Sequence, residues 1–178
     1  MKILVTGSKG QLGSEIMKIS RIKTDLEWVF TDVDEFDLSK LDLINAFLEK
    51  INPKIIINCA AYTAVDNAEN NFHLVNLINN ESVSLISKWT SANNCKLIHV
   101  STDYVFEGNS HIPLTEEEET NPINTYGKTK FLGENACRTN DLNSIVIRTS
   151  WVYSSFGANF VKTMIKLMKS KSELSIVS

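Results

Sequence analysis

Cysteine is scarce in this sequence. Cys59, Cys95 and Cys137 are odd in number, far apart and in no metal-ligand spacing. That excludes a disulfide scaffold and a thiolate metal site, and leaves free buried thiols in a reducing cytoplasm as the expectation. Long apolar runs are missing too. Even the longest stretches are short, such as Ile55-Ile56-Ile57, which excludes a membrane-spanning helix. Met1 to Gly7 pass from a short apolar run into a turn, with no signal-peptide hydrophobic region behind them. Positive charge is not in excess: 18 basic against 21 acidic residues give a net charge of −3. A basic nucleic-acid footprint and a polybasic membrane binder are therefore excluded, and neither partner is expected. There is no internal repeat and no low-complexity linker.

The 178 residues, 43% hydrophobic and 22% charged, suit one domain with room for the start of a second. A chain of this size buries roughly 70% of the surface that its unfolded form exposes. Short runs rich in Ile, Leu and Val alternate with amphipathic stretches. Strands are expected over 2–6, 27–31, 54–58, 96–101, 144–148 and 174–177. Helices are expected over 13–21, 40–50, 72–89, 126–137 and 159–169. Near-continuous apolar strands imply a parallel sheet buried on both faces. The order predicts an α/β, Rossmann-type, doubly wound sheet with helices on both faces. The segment from Glu107 to Asn124 has no period and exceeds an ordinary connection, so it reads as a surface loop. Its acidic run, Glu116 to Glu119, reads as a solvated face.

Gly7-Ser8-Lys9-Gly10-Gln11-Leu12-Gly13 follows the first strand and opens the first helix. Glycines at 7, 10 and 13 suit a tight turn, a close approach of backbone to pyrophosphate, and close packing of helix on sheet. The helix start offers unpaired N–H groups to phosphate. Asp32 closes the second strand about 20 residues further on, where a carboxylate takes the adenosine ribose hydroxyls of a dinucleotide. It favours NADH, while Lys9 in the turn leaves room for the extra phosphate of NADPH. Asp37 and Leu38 are placed beside the adenine.

Tyr126 and Lys130 are four residues apart, so a helix sets them one turn apart on one face. A free tyrosine titrates near 10, too high for acid–base work at neutrality, and a neighbouring ammonium lowers that value. Together they make a proton donor to a carbonyl under reduction. Lys128 falls on another face. Ser101-Thr102-Asp103 ends the fourth strand, at the carboxyl edge where open α/β sheets bind ligands. A hydroxyl there suits a substrate carbonyl. Thr102 is the preferred residue, and Ser101 is nearly as good from sequence alone. His73, His99 and His111 are scattered, and none is read as a metal ligand.

These residues resemble the extended short-chain dehydrogenase/reductase family, and within it the dTDP-4-dehydrorhamnose reductases. The resemblance rests on 7–13, on Asn-Cys-Ala-Ala-Tyr-Thr-Ala-Val-Asp-Asn-Ala-Glu (58–69), on Ser-Thr-Asp-Tyr-Val-Phe-Glu-Gly (101–108), on Tyr-Gly-Lys-Thr-Lys (126–130) and on Arg-Thr-Ser-Trp-Val-Tyr (148–153). It implies an NAD(P)H-dependent reduction of the C4 keto group of dTDP-4-dehydro-6-deoxy-L-mannose. It places Gly7, Gly10, Gln11 and Leu12 on the pyrophosphate, with Ala60, Ala61, Tyr62 and Thr63 beside the ribose and nicotinamide. Thr102, Tyr126 and Lys130 match the catalytic triad. Asn79 matches an asparagine that supports the lysine through water, with Asn76 and Asn80 as alternatives. Asp103, Tyr104 and Trp151 match positions that meet the sugar nucleotide, although plain packing under the sheet edge is a second reading of Trp151. Asp66 and Glu69 are read as turn and cap residues. A homodimer is compatible with the resemblance, and nothing in the sequence indicates magnesium. Two alternatives stay open: a non-catalytic, reductase-like regulatory or binding subunit, and another nucleotide-sugar reductase or epimerase of the superfamily. Family members are longer. The expectation is therefore that 1–178 form the NAD(P)-binding domain with the catalytic residues, that most of the substrate-binding domain is absent after 178, and that Phe160, Met164 and Leu167 lie exposed.

Overall fold

A computed structural model describes residues 1–175. Five strands form one parallel sheet: β1 (Lys2–Thr6), β2 (Glu27–Thr31), β3 (Ile55–Asn58), β4 (Lys96–Thr102) and β5 (Ile145–Thr149). Their order is β2-β1-β3-β4-β5. The connections run outward from β1 in one direction and from β3 in the other. The crevice between the carboxyl ends of β1 and β3 is thus the switch point at which such sheets bind ligands. Of the strand expected over 174–177, residues 174 and 175 are not in a strand, and 176 and 177 lie outside the described residues.

Helices α1 (Gln11–Ser20), α2 (Leu41–Ile51), α3 (Val65–Ala68), α4 (Phe72–Asn76), α5 (Ser82–Ala92), α6 (Thr125–Asn140) and α7 (Phe160–Ser170) connect and flank the strands, with a 3₁₀ turn at Asp103–Val105 after β4. The long helix expected from Phe72 is α4 and α5, joined through a π-helical segment, Leu77–Glu81. The crossover through α1 and the crossover through α2 run in opposite directions along the sheet, so right-handed connection puts those helices on opposite faces. On the α2 face, Leu4, Ile56 and Leu97 lie in register on three adjacent strands and are fully buried. They pack with Leu48 of α2, Ile86 of α5 and Cys137 of α6. Burying each such side chain contributes about 1.5–3 kcal/mol, which makes this the main core.

The opposite face is more open. Ile145 and Ile147 of β5 are 46% and 45% exposed, and α7 has no buried residue. Phe160 is exposed as expected, but Met164 and Leu167 are half-buried. Among the described residues no helix is long and apolar enough to cross a membrane.

Candidate active site

The glycine turn is tied down from two sides. Ser8 N–H donates to the Thr31 carbonyl (3.0 Å), and Lys9 N–H donates to Asp32 Oδ2 (2.8 Å). Gly7 has φ +63°, and a Cβ there would lie 2.7 Å from Ala60 N, so the turn needs glycine to pass so close to the end of β3. Helix α1 then starts at Gly10 with no side-chain cap and no acid in its first turn. Its first N–H groups and positive dipole end face the crevice.

A cavity of about 630 Å³ opens there. Gly7, Gly10, Gln11, Leu12, Gly13, Asp32, Asp37, Leu38, Ala60, Ala61 and Thr63 line one part of it, and Thr102, Asp103, Tyr104, Tyr126, Lys130 and Trp151 line the other. Lys9 and Tyr62 do not line it. The Lys9 ammonium pairs with Asp34 on the exposed rim, which raises its pKa. Sequence reasoning missed Val33, Phe36, Cys59, Ile78 and Val100, apolar or near-apolar residues that only the folded crevice gathers.

Three observations fit a dinucleotide here. The glycine cradle leaves room that a Cβ would fill. The helix start is uncapped. Ser101 lines the cavity with its buried Oγ lacking a partner among the described residues.

Helix α6 is braced at its start. Asn124 Oδ1 accepts Gly127 N–H at 2.7 Å, and the Glu69 carboxylate accepts both the N–H and the hydroxyl of Thr125 at 2.8 Å. Glu69, read from sequence as a cap residue, is therefore a cap reached from a distant loop. A Cβ on Gly127 would overlap the Tyr104 carbonyl, so that glycine lets α6 approach the turn after β4. Tyr126 and Lys130 then sit on the buried face, while Lys128 is exposed. The Tyr104 ring stands edge-on to the Tyr126 ring, with centroids 5.6 Å apart.

The Thr102 hydroxyl donates to Asp103 Oδ1 (3.0 Å) and accepts Tyr104 N–H (3.2 Å). Burial raises the Tyr126 pKa above its ordinary value, and a hydrogen bond with Thr102 opposes that rise. The expectation that Lys130 lowers it is corrected. The Lys130 Nζ donates to the Val100 carbonyl at 2.7 Å and sits 3.3 Å from His99 Nε2. Its own pKa is pulled down to about 8 by burial. The phenol is thus kept protonated, as a proton donor needs to be.

Asn79 is buried, but its side chain bonds elsewhere. Oδ1 accepts Tyr62 N–H (2.8 Å), and Nδ2 donates to the Tyr62 carbonyl (3.1 Å) and to Thr129 Oγ1 (3.2 Å). It braces the loop after β3 against α6. Asn76 and Asn80 bond to each other and, through Asn76, to Glu81. Trp151 does not pack under the sheet edge. It is 71% exposed, holds φ +51° and stands edge-on to Phe160.

The family model described as the RmlD substrate binding domain matches residues 1–178. The chain is 39% identical to the dTDP-4-dehydrorhamnose reductase of Salmonella typhimurium over 180 residues, covering 100% of this chain and 60% of that one. It is also 39% identical to the Escherichia coli K12 enzyme of the same name over 182 residues, again with 100% and 60% covered. The crystal structure of a dTDP-4-dehydrorhamnose reductase from Clostridium acetobutylicum superposes with a TM-score of 0.93 at 41% identity, covering 98% of this chain and 61% of that one. The Bacillus anthracis enzyme in complex with NADP gives 0.91 at 34%, covering 97% and 61%. The chain spans about 60% of the length of these curated relatives. On the match of its whole length, the chain belongs to the RmlD substrate binding domain family.

Proposed function

We propose that this chain carries the cofactor and catalytic half of an NAD(P)H-dependent reductase acting on the C4 ketone of dTDP-4-dehydro-6-deoxy-L-mannose, giving dTDP-L-rhamnose. One observation carries the reading: Thr102, Tyr126 and Lys130 line the same crevice as the glycine turn. A nicotinamide cofactor supplies a hydride when bound. Gly7, Gly10, Gln11 and Leu12 take its pyrophosphate, with Asp32 at the adenosine ribose.

Thr102 holds the carbonyl oxygen by its hydroxyl and Tyr126 gives its phenolic proton to that oxygen as negative charge develops. Such proton transfer contributes about 10²–10⁴-fold. Lys130 orients the ribose from the buried side. Asp103, Tyr104 and Trp151 form the wall that meets the sugar nucleotide, and the relatives' further length supplies most of the remaining pocket. Two buried thiols and one half-buried thiol, all free, fit a reducing cytoplasm.

The test is consumption of NADH or NADPH in the presence of the ketosugar, followed by absorbance, in this chain and in one extended to the relatives' length. Turnover that falls at least about 10²-fold in Tyr126→Phe supports the reading. Absence of turnover in both chains, with cofactor still bound, favours the non-catalytic alternative.

A further inference from the structure

His99 is fully buried in β4, between two other buried polar side chains. It belongs to an unbroken line of hydrogen bonds from the cofactor crevice to the catalytic lysine. Ala60 N–H donates to Thr6 Oγ1 (3.3 Å), and the Thr6 hydroxyl donates to Asn58 Oδ1 (2.6 Å). Asn58 Nδ2 lies 3.1 Å from His99 Nδ1, and His99 Nε2 lies 3.3 Å from Lys130 Nζ. Lys130 Nζ donates onward to the Val100 carbonyl. Thr6 immediately precedes Gly7, so the line begins at the phosphate turn.

We propose that His99 is a positioning residue for Lys130, and that its tautomer is tied to the charge on the lysine. This deepens the reductase reading and rests on Lys130 serving that reaction. A backbone N–H can only donate, so Thr6 Oγ1 accepts at Ala60 and keeps one further lone pair and its own hydrogen for Asn58. Thr6 accepts there and gives its hydrogen to Asn58 Oδ1. Asn58 then presents its NH₂ to Nδ1. A neutral imidazole has one N–H, which must sit on Nε2, aimed at Lys130. An amine accepts that hydrogen; an ammonium cannot.

Protonating Lys130 therefore forces Nε2 to become an acceptor. The imidazole loses its Nε2 proton, gains one at Nδ1 and stays neutral. Asn58 turns its amide, offering Oδ1 to Nδ1–H and its NH₂ to the second lone pair of Thr6 Oγ1, so that the Thr6–Asn58 bond reverses direction. The net change is one proton taken from solvent onto Nζ. A buried ammonium then has two fixed acceptors, His99 Nε2 and the Val100 carbonyl, which hold it in place.

The other groups facing Lys130 do not supply this coupling. Cys59 follows β3, and Cys137 lies two turns along α6; burial raises both thiols to about 11 and about 12, so they stay neutral. Glu134, one turn along α6, is held by Arg148 of β5 at 2.8 Å and by Arg138 at 3.1 Å. His99 itself is faced by Asn58, Lys130 and the bare Gly133. Burial and the lysine charge keep its pKa well below 6.5, so the imidazole changes tautomer without becoming a cation.

The test is a long-range ¹H–¹⁵N correlation spectrum of the histidine-labelled chain, taken from about pH 6 to about pH 10. His99→Gln identifies its signals against the exposed His73 and His111. The expected result is a neutral Nε2–H tautomer at high pH that converts to the Nδ1–H tautomer as Lys130 protonates near pH 8. In Lys130→Met the Nε2–H tautomer persists throughout. A single tautomer across the range in the unsubstituted chain overturns the proposal, as does the same conversion in Lys130→Met. Because the readout needs no turnover, failure of the reductase reading leaves this result interpretable.

Discussion

Glu69 and Thr125 lie 56 residues apart and form a two-pronged pair, one carboxylate oxygen on the Thr125 N–H and the other on its hydroxyl, each at 2.8 Å. Thr125 is the residue before Tyr126. The segment after β3, which borders the crevice, thereby fixes where α6 starts.

Glu69→Ala is expected to lower kcat by about tenfold, within the roughly 10²-fold that a 1 Å misplacement can cost. Cofactor affinity stays near the unsubstituted value, and Glu69→Gln, which keeps one acceptor, recovers most of the rate. Steady-state rates beside a fluorescence titration with NADH separate the two effects. The bonds to Thr125 hold the Glu69 carboxyl below its ordinary pKa. The brace therefore persists above the ordinary carboxylate range and is lost as pH falls through the lowered value.

Asp34 pairs with Lys9 at the rim of the crevice, with Asp32 and Glu35 beside it; on the proposed reading, an adenosine 2′-phosphate is bound at this rim. Asp34→Ala frees that ammonium. Affinity for NADPH relative to NADH is expected to rise by about fivefold, the upper range for one exposed ion pair. Dissociation constants for both cofactors check it. An unchanged ratio removes Lys9 and Asp34 from cofactor discrimination.

Lys130 gives stability a pH dependence of defined sign. Its folded pKa, about 8, lies below the ordinary 10.5 because burial penalises the charge. Between those values the unfolded chain binds more protons, so stability rises with pH. The slope approaches about 1.4 kcal/mol per pH unit. The three thiols act in the opposite direction as they titrate in the unfolded chain around their ordinary 9.0, since their folded values are raised to about 11, 11 and 12. Three such groups offset the single lysine from about pH 8.5 upward, so the lysine's contribution is read as a difference between chains. Urea unfolding from about pH 7 to about pH 9 is expected to show the stability of the unsubstituted chain rising with pH relative to that of Lys130→Met.

Much of this arrangement was legible in the sequence. The β1 and β2 strands, the glycine turn and the Tyr126–Lys130 spacing follow from local patterns, and the structure places these residues around one crevice. The hydroxyl at the end of β4 was less certain, because Ser101 and Thr102 both reach the cavity and only their partners distinguish them. The π-helical segment around Asn79 was hidden, since its extra residue barely disturbs a helical apolar pattern. Nor could periodicity reveal the Thr6–Asn58–His99–Lys130 line. Its members come from three strands and a helix, and their separations in sequence carry no signal. The lysine's direction is hidden for the same reason: helical spacing puts Lys130 beside Tyr126, but the Val100 carbonyl and His99 on β4 draw its nitrogen away.

The most direct measurement follows the hydride and the proton together. NADH deuterated at the transferable position of C4 is supplied with the ketosugar, and the nucleotide-sugar product is weighed by mass spectrometry. The account predicts one deuterium on the sugar, and a rate of labelling at least about 10²-fold lower in Tyr126→Phe with cofactor affinity preserved. Unlabelled product, or full-rate labelling in Tyr126→Phe, would contradict it.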